Sequence, residues 1–351
     1  MKICYFGSYD PNYSRNNIFL KGLRMNGAEV IEANFNSSFP SLLNFPKIFL
    51  KTLTSELDAL IIGYSDVKSI ENFLAKISSK TPIFFDPLFS QYDSLVSVRN
   101  LIKNSFLAKY IYNREIFFMK YADCIILDTN AHINFFKKLF PLKKAAYERV
   151  FVGADDSKAF PKKIIKKWDK FVVFFYGTYI PLHGIEYILK AAKELENHKE
   201  IIFTLVGGGQ NFAAIQNLAK NLKLSNVRFI PPVSYSKLID YMNLADICLG
   251  IFGTSKKSEN VIPNKIFDAL AVGKPLITRD SVAIREALKN EENAILCKAG
   301  NGKSLADAIL LLKNDENLMK KIATNNYLLF QKKFTPKQIG NSLLKIIEKY
   351  I

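Results

Sequence analysis

The sequence predicts an α/β protein made of two successive βα-repeating halves, and three observations carry that prediction. Its 351 residues are too many for one ordinary core and suit two domains, which the 49% of apolar residues can fill. Short apolar runs alternate with helical patterns from one end to the other. The alternation breaks once, at SKAFPKKIIKKWDK (157–170), where Lys158, Lys162, Lys163, Lys166, Lys167 and Lys170 meet a single acid, Asp169. Repeating βα units imply parallel sheets covered by helices.

Taken in order, KICYFG reads as the first strand and Ser14–Met25 as a helix, followed by strands AEVIEAN, DALIIGY and PIFFD. A long helical stretch from about Leu95 to Tyr121 precedes the strands DCIILD and RVFVG. The opening MKICYFG has one Lys and a short apolar run without a small-residue cleavage site, which favours a strand over a leader. After the break come FVVFFYG, IIFTLVGG, VRFIP, DICLGIF, KPLIT and AILCK. The expected organisation is an N-terminal Rossmann-like domain over 1–156, a basic linker over 157–170 and a C-terminal Rossmann-like domain over 171–334. The two domains are expected to face each other across a cleft. A last helix within 335–351 is free to pack on either of them, a return to the N-terminal domain included.

The chain carries 49 Lys and Arg against 32 Asp and Glu, a net charge of +17. Such a balance points to anionic partners: a nucleotide, nucleic acid or an anionic lipid surface. No apolar run approaches the ~20 residues of a membrane span. Cys4, Cys124, Cys248 and Cys297 are scattered, without a C-x-x-C pair, in or beside strand-like runs. Buried reduced thiols in a cytoplasmic protein are the expectation. No compact Asp/His cluster of metal-ligand type is present, and no zinc-finger spacing or other nucleic-acid module.

The stretch SENVIPNKIFDALAVGKPLIT (258–278) reads as a loop, a helix and a strand. Pro263 suits a first helical turn, and Gly273 with Lys274-Pro275 is a stop. The helix N-terminus and Lys265 invite an anion. Within this stretch alone, Asp268 reads as the wet-face residue of an amphipathic helix.

Four pieces of the second half occur in a telling order: FFYGTYIPLHGIEYILKAAKEL, FTLVGGGQ, NVRFIPPVSYSKLIDYMNLADICLGIF and VIPNKIFDALAVGKPLIT. Together they resemble the donor-nucleotide domain of GT-B glycosyltransferases, and most of all glycosyltransferase family 4. The first half resembles that fold's acceptor domain more loosely, through FGSYDPNYSRNNIFLKGLRMNGAEV and NREIFFMKYADCIILDT.

The resemblance assigns roles that the residues alone do not. Two glutamates with seven residues between them are usual in that family, one near the transferred sugar and one on the nucleotide ribose. Here the second position is Asp268 and the first is Asn260, with Glu259 adjacent. A carboxylate accepts from two ribose hydroxyls at once, so Asp268 is expected to grip the donor. An Arg and a Lys usually meet the diphosphate; Thr178, after Gly177, and His183 stand in their places. Lys265 and the helix N-terminus, with Ile262 and Pro263 before it, are then expected to compensate more of the charge. Gly208 in VGGGQ and the loop at Pro232 and Val233 are implied at the nucleotide, although a tight turn and an ordinary βα loop explain them equally. In the acceptor half, Asp86 stands where many relatives carry a His. Tyr9 and Arg15, in the first βα loop, are implied on the acceptor or phosphate side.

The expected activity is that of a retaining, metal-independent hexosyltransferase needing no cofactor. A nucleotide-diphosphate sugar is the co-substrate and a glycan or lipid-linked molecule the acceptor, in cell-surface polysaccharide or glycoconjugate synthesis. Asp86, His183, Lys265, Asn260 and Glu259 are the catalytic candidates. A sugar-nucleotide 2-epimerase on the same fold and an inactive nucleotide-sugar-binding subunit are the alternatives. Basic and aromatic residues interleave in INFFKKLFPLKK (133–144) and around Lys103, Lys109, Arg114 and Lys120. They point to peripheral association with an anionic membrane face.

Overall fold

The computed structural model describes residues 1–34, 56–64, 80–142, 145–165 and 169–351. Lys166 and Lys167 of the basic segment, and Lys143 and Lys144, lie outside the described residues. The chain divides into two compact units, Met1–Asp155 with Phe334–Ile351, and Asp156–Lys333.

The first unit holds a parallel sheet of β1 (Lys2–Gly7), β2 (Glu29–Asn34), β3 (Ala59–Ile62), β4 (Ile83–Phe85), β5 (Cys124–Leu127) and β6 (Ala146–Arg149). Their order across the sheet is β2-β1-β3-β4-β5-β6. Side chains alternate along β1 as a strand demands: Ile3 and Tyr5 enter the core shared with the Ser14–Met25 helix, while Cys4 and Phe6 enter the core on the other face. The last helix, Pro336–Ile347, packs on Ser14–Met25. The two helices approach so closely at Gly22 and Gly340 that a Cβ on Gly340 would come within 2.2 Å of the Gly22 carbonyl oxygen.

Two expectations for this unit change. The last strand is Ala146–Arg149 and not RVFVG, because the carbonyls of Val150 and Phe151 turn to the Arg15 guanidinium at 2.6 and 3.0 Å. The stretch from Leu95 to Tyr121 is not one helix. A π-helical turn, Asp93–Val98, ends before Asn100, whose φ is 50°, and a separate helix, Ser105–Met119, starts where the Asn104 side chain accepts from the N–H groups of Phe106 and Leu107.

The second unit holds a parallel sheet of β7 (Phe171–Thr178), β8 (Ile201–Gly208), β9 (Val227–Ile230), β10 (Ile247–Leu249), β11 (Leu276–Arg279) and β12 (Ile295–Cys297), in the order β12-β11-β10-β7-β8-β9. Val173 and Phe175 of β7 enter its main core with Ile188, Leu189 and Leu205. All four cysteines are buried, free thiols. Among the described residues no helix is long and apolar enough to cross a membrane.

Candidate functional site

In the second unit the strand order reverses at β7, with β8 on one side and β10 on the other. Connections leaving the carboxyl ends of two such strands diverge, and the opening between them is where open α/β sheets bind ligands. The chain after β7 turns through Pro181–His183 into Gly184, whose φ of 63° favours glycine, before the Ile185–Glu194 helix. A Cβ at Gly184 would lie 2.4 Å from the Gly253 nitrogen, so the turn is pressed against the loop following β10. The Phe252 N–H donates to the His183 carbonyl at 3.0 Å and locks that contact.

His183 is thereby held inside the unit, 8% exposed. Its Nδ1 stands 2.5 Å from the Thr178 carbonyl, which only accepts, so Nδ1 carries the proton. Burial, and then the nearby charge of Lys265, hold the imidazole well below its ordinary pKa, although the Thr178 bond works the other way. The ring is neutral and Nε2 offers a lone pair. A neutral ring at this place leaves Lys265 and the helix N-terminus as the charge-compensating groups of the site, as the sequence suggested.

Lys265 is the second member. It lies in the first turn of the Asn264–Ala271 helix, 5% exposed, with Nζ 4.3 Å from the centre of the Phe175 ring. Among the described residues Nζ has no hydrogen-bond partner, and burial pushes its pKa well down. Gly177, whose φ is 151°, sits between the two cations-in-waiting: a Cβ there would meet His183 Cε1 and Lys265 Nζ at 2.9 Å each.

The helix itself corrects the local reading of 258–278. Pro263 is the residue before the first turn, and every residue from Lys265 to Ala271 is buried, so Asp268 is not on a wet face. At 5% exposure, one Asp268 oxygen accepts from Tyr235 Oη at 2.7 Å and the other from Tyr176 Oη. Burial raises its pKa to about 6, while the two hydroxyls pull it down. The sequence reading missed both tyrosines. Tyr176 belongs to an unbroken apolar strand and Tyr235 follows a Pro-Pro loop, so neither carries a local signal.

Around the first family position, Glu259 pairs with Arg279 Nη2 and accepts from the Val282 N–H at 3.1 Å. Asn260 donates to the Lys256 carbonyl of its own short helix at 2.9 Å. Arg279, also missed, is 5% exposed and bonds the Gly253 carbonyl at 2.5 Å and Ser258 Oγ at 2.8 Å. Thr178 is exposed and Ile262 buried. A Cβ at Gly208 would have Pro232 as its nearest neighbour, at 3.8 Å, which brings that turn beside the exposed Pro232 and half-buried Val233.

The candidates in the first unit are engaged with each other. Arg15 and Asp86 form an ion pair at 2.8 Å with both side chains fully buried, and Arg15 spends its remaining nitrogens on Asp86 and on the carbonyls of Val150 and Phe151. The pair ties the first turn of the Ser14–Met25 helix to the ends of β4 and β6, and neither side chain reaches solvent. Tyr9, 1% exposed, donates to Glu32 Oε2 at 2.9 Å. The two basic-aromatic stretches also part company. In the Asn130–Leu139 helix Ile133 and Phe136 are core residues, which leaves Lys137 and Lys138 as a solvated basic face. In the Ser105–Met119 helix the aromatics are outside: Phe106 is 81% exposed and Tyr110 55%.

Residues 156–329 match the family model described as glycosyl transferases group 1. The chain is 24% identical over 266 residues to an uncharacterized glycosyltransferase of Methanocaldococcus jannaschii, a match covering 74% of this chain and 66% of that protein, just under two thirds of its length. Sucrose-phosphate synthase from Thermosynechococcus elongatus superposes with a TM-score of 0.74 at 14% identity, over 99% of this chain and 98% of that one. HepE of Anabaena, solved in complex with UDP, gives a TM-score of 0.74 at 14% identity, over 99% and 100% of the two chains. At these identities the likeness of structures establishes the fold. The protein thus has the two-unit GT-B fold, and its residues 156–329 are similar to the glycosyl transferases group 1 family.

Proposed function

We propose that the protein is a glycosyltransferase that takes a sugar from a nucleoside-diphosphate sugar and passes it, with retention of configuration and without a metal, to a glycan or lipid-linked acceptor. The observation that carries the reading is the buried Lys265 amine, which has no hydrogen-bond partner among the described residues and stands across Gly177 from His183. An unpaired buried amine costs stability, and a diphosphate is a partner that would offset the loss. Departure of the nucleoside diphosphate puts charge on its terminal phosphate. Lys265 and the amides that open the Asn264–Ala271 helix are placed to stabilise that charge without reorganising. Asp268 is the acceptor for the ribose hydroxyls. HepE, a structural relative, binds UDP, which favours a nucleotide donor here.

The lipid-linked or membrane-borne acceptor, in polysaccharide or glycoconjugate synthesis, is supported by the Ser105–Met119 helix. There exposed Phe106, Tyr110 and Phe117 interleave with Lys109 and Arg114, an arrangement suited to an anionic interface. A thermal-shift panel of nucleotide sugars, followed by turnover of the best binder with and without lipid-linked acceptors, tests the proposal. Stabilisation by at least one nucleotide sugar and acceptor-dependent release of its nucleoside diphosphate are expected. Product formed from the donor alone would instead indicate an epimerase. Stabilisation by none of them would remove the nucleotide reading.

A further inference from the structure

Asp268 is closed over by two tyrosines that are not held alike. Tyr176 lies in β7, its backbone paired in register with Val206 of β8, and its side chain is half-buried beside that sheet. Tyr235 is the first residue of the Tyr235–Leu244 helix, preceded by exposed Pro231, Pro232 and Ser234, and is itself 37% exposed. Asp268 is only 5% exposed, and of the two hydroxyl donors to its carboxylate Tyr235 is the more exposed. Rotation about the side-chain bonds of Tyr235 takes the ring into solvent that it already contacts.

We propose that Tyr235 is a removable cover: its hydroxyl occupies the Asp268 oxygen that a donor ribose hydroxyl takes, and nucleotide binding exchanges one hydroxyl for the other and turns the ring outward. The inference rests on the nucleotide-sugar reading above and adds a residue that no motif marked. The exchange is like for like, a phenol hydroxyl for a sugar hydroxyl, so the buried carboxylate keeps two donors throughout and never bears an uncompensated charge. It also makes Tyr235 a specificity residue. A nucleotide lacking its ribose hydroxyls gains nothing from evicting the phenol, so such nucleotides are rejected for want of a replacement donor.

The test is a coupling measurement by calorimetry at pH 8.5, where an Asp268 with a pKa of about 6 is ionised even when it loses one hydroxyl. The probes are whichever of UDP, GDP, CDP and ADP stabilises the protein most, and its 2′,3′-dideoxy form. The proteins are wild type, Tyr235→Phe and Asp268→Ala. The preference for the ribose form is expected to rise about three- to ten-fold in Tyr235→Phe, because the competing hydroxyl is gone, and to vanish in Asp268→Ala. An unchanged or smaller preference in Tyr235→Phe, with the preference still lost in Asp268→Ala, overturns the cover while leaving the ribose contact standing. A preference retained in Asp268→Ala overturns the ribose contact itself, and the cover with it. A measurement on the unmutated residue guards against a variant that misfolds: in protein labelled with 3-fluorotyrosine, the Tyr235 resonance should move toward a solvent-exposed shift with the ribose form and stay in place with the dideoxy form. A resonance unmoved by the ribose form overturns the cover.

Discussion

Replacing Lys265 by Met separates what the residue does for the fold from what it does for a ligand, because the two effects have opposite signs. In the free protein Nζ has left water, with 5% of the residue exposed, for a place 4.3 Å from the Phe175 ring centre, and it has no hydrogen-bond partner among the described residues. An unsatisfied buried polar group costs about 1–3 kcal/mol. The aromatic face offsets about 0.5–2 kcal/mol of that. Met keeps the length of the side chain and sets a polarizable thioether against the same ring. The variant should therefore be more stable by about 1 kcal/mol, a rise of about 2–4 °C in the unfolding temperature of a unit of this size. Its affinity for a nucleoside diphosphate should fall about ten- to hundred-fold, since a charged hydrogen bond contributes about 1.5–3 kcal/mol. Urea unfolding and calorimetry with UDP, GDP, CDP and ADP measure the two effects. A Met variant less stable than wild type that binds its nucleotide undiminished would refute the reasoning and make Lys265 a structural partner of Phe175.

His183→Gln tests the neutral imidazole. The folded-state pKa lies below the ordinary 6.5, so the ring's contribution to stability is complete above that value and is lost as pH falls through it toward the folded pKa. A bound diphosphate raises that pKa, so wild-type nucleotide affinity should strengthen as pH falls from about 8 to 6, whereas the Gln variant should show a flat profile. Gly177→Ala should lose nucleotide binding and about 1–3 kcal/mol of stability, because its Cβ would sit 2.9 Å from His183 and Lys265 at a φ of 151°. Gly208→Ala is the control: its Cβ meets nothing nearer than Pro232 at 3.8 Å, and its melting temperature should match wild type. Changing Phe106, Tyr110 and Phe117 together to Ser should abolish co-flotation with anionic liposomes and leave nucleotide affinity alone. Equal flotation of wild type with anionic and neutral liposomes, or none with either, counts against the membrane face.

The sequence by itself determined the α/β class and most of the strands, because a strand buried in a parallel sheet is a short apolar run whose period and length are local properties. KICYFG and FVVFFYG are legible for that reason, and β1 and β7 stand where those runs lie. It also singled out Lys265, His183 and Asp268, through a helix start, a turn and a family spacing. Tertiary structure decided what surrounds them. Asp268 exchanged an expected wet face for the hydroxyls of Tyr176 and Tyr235, residues 92 and 33 positions away. Arg15 and Asp86, 71 positions apart, found each other inside the first unit. RVFVG lost its strand when the Arg15 guanidinium captured the carbonyls of Val150 and Phe151, and the last helix settled on Ser14–Met25 through a glycine contact, Gly22 to Gly340. The partner of a buried charge is chosen by chain segments that meet only on folding. Local pattern records that a charge is present, and the three-dimensional packing alone determines what neutralises it.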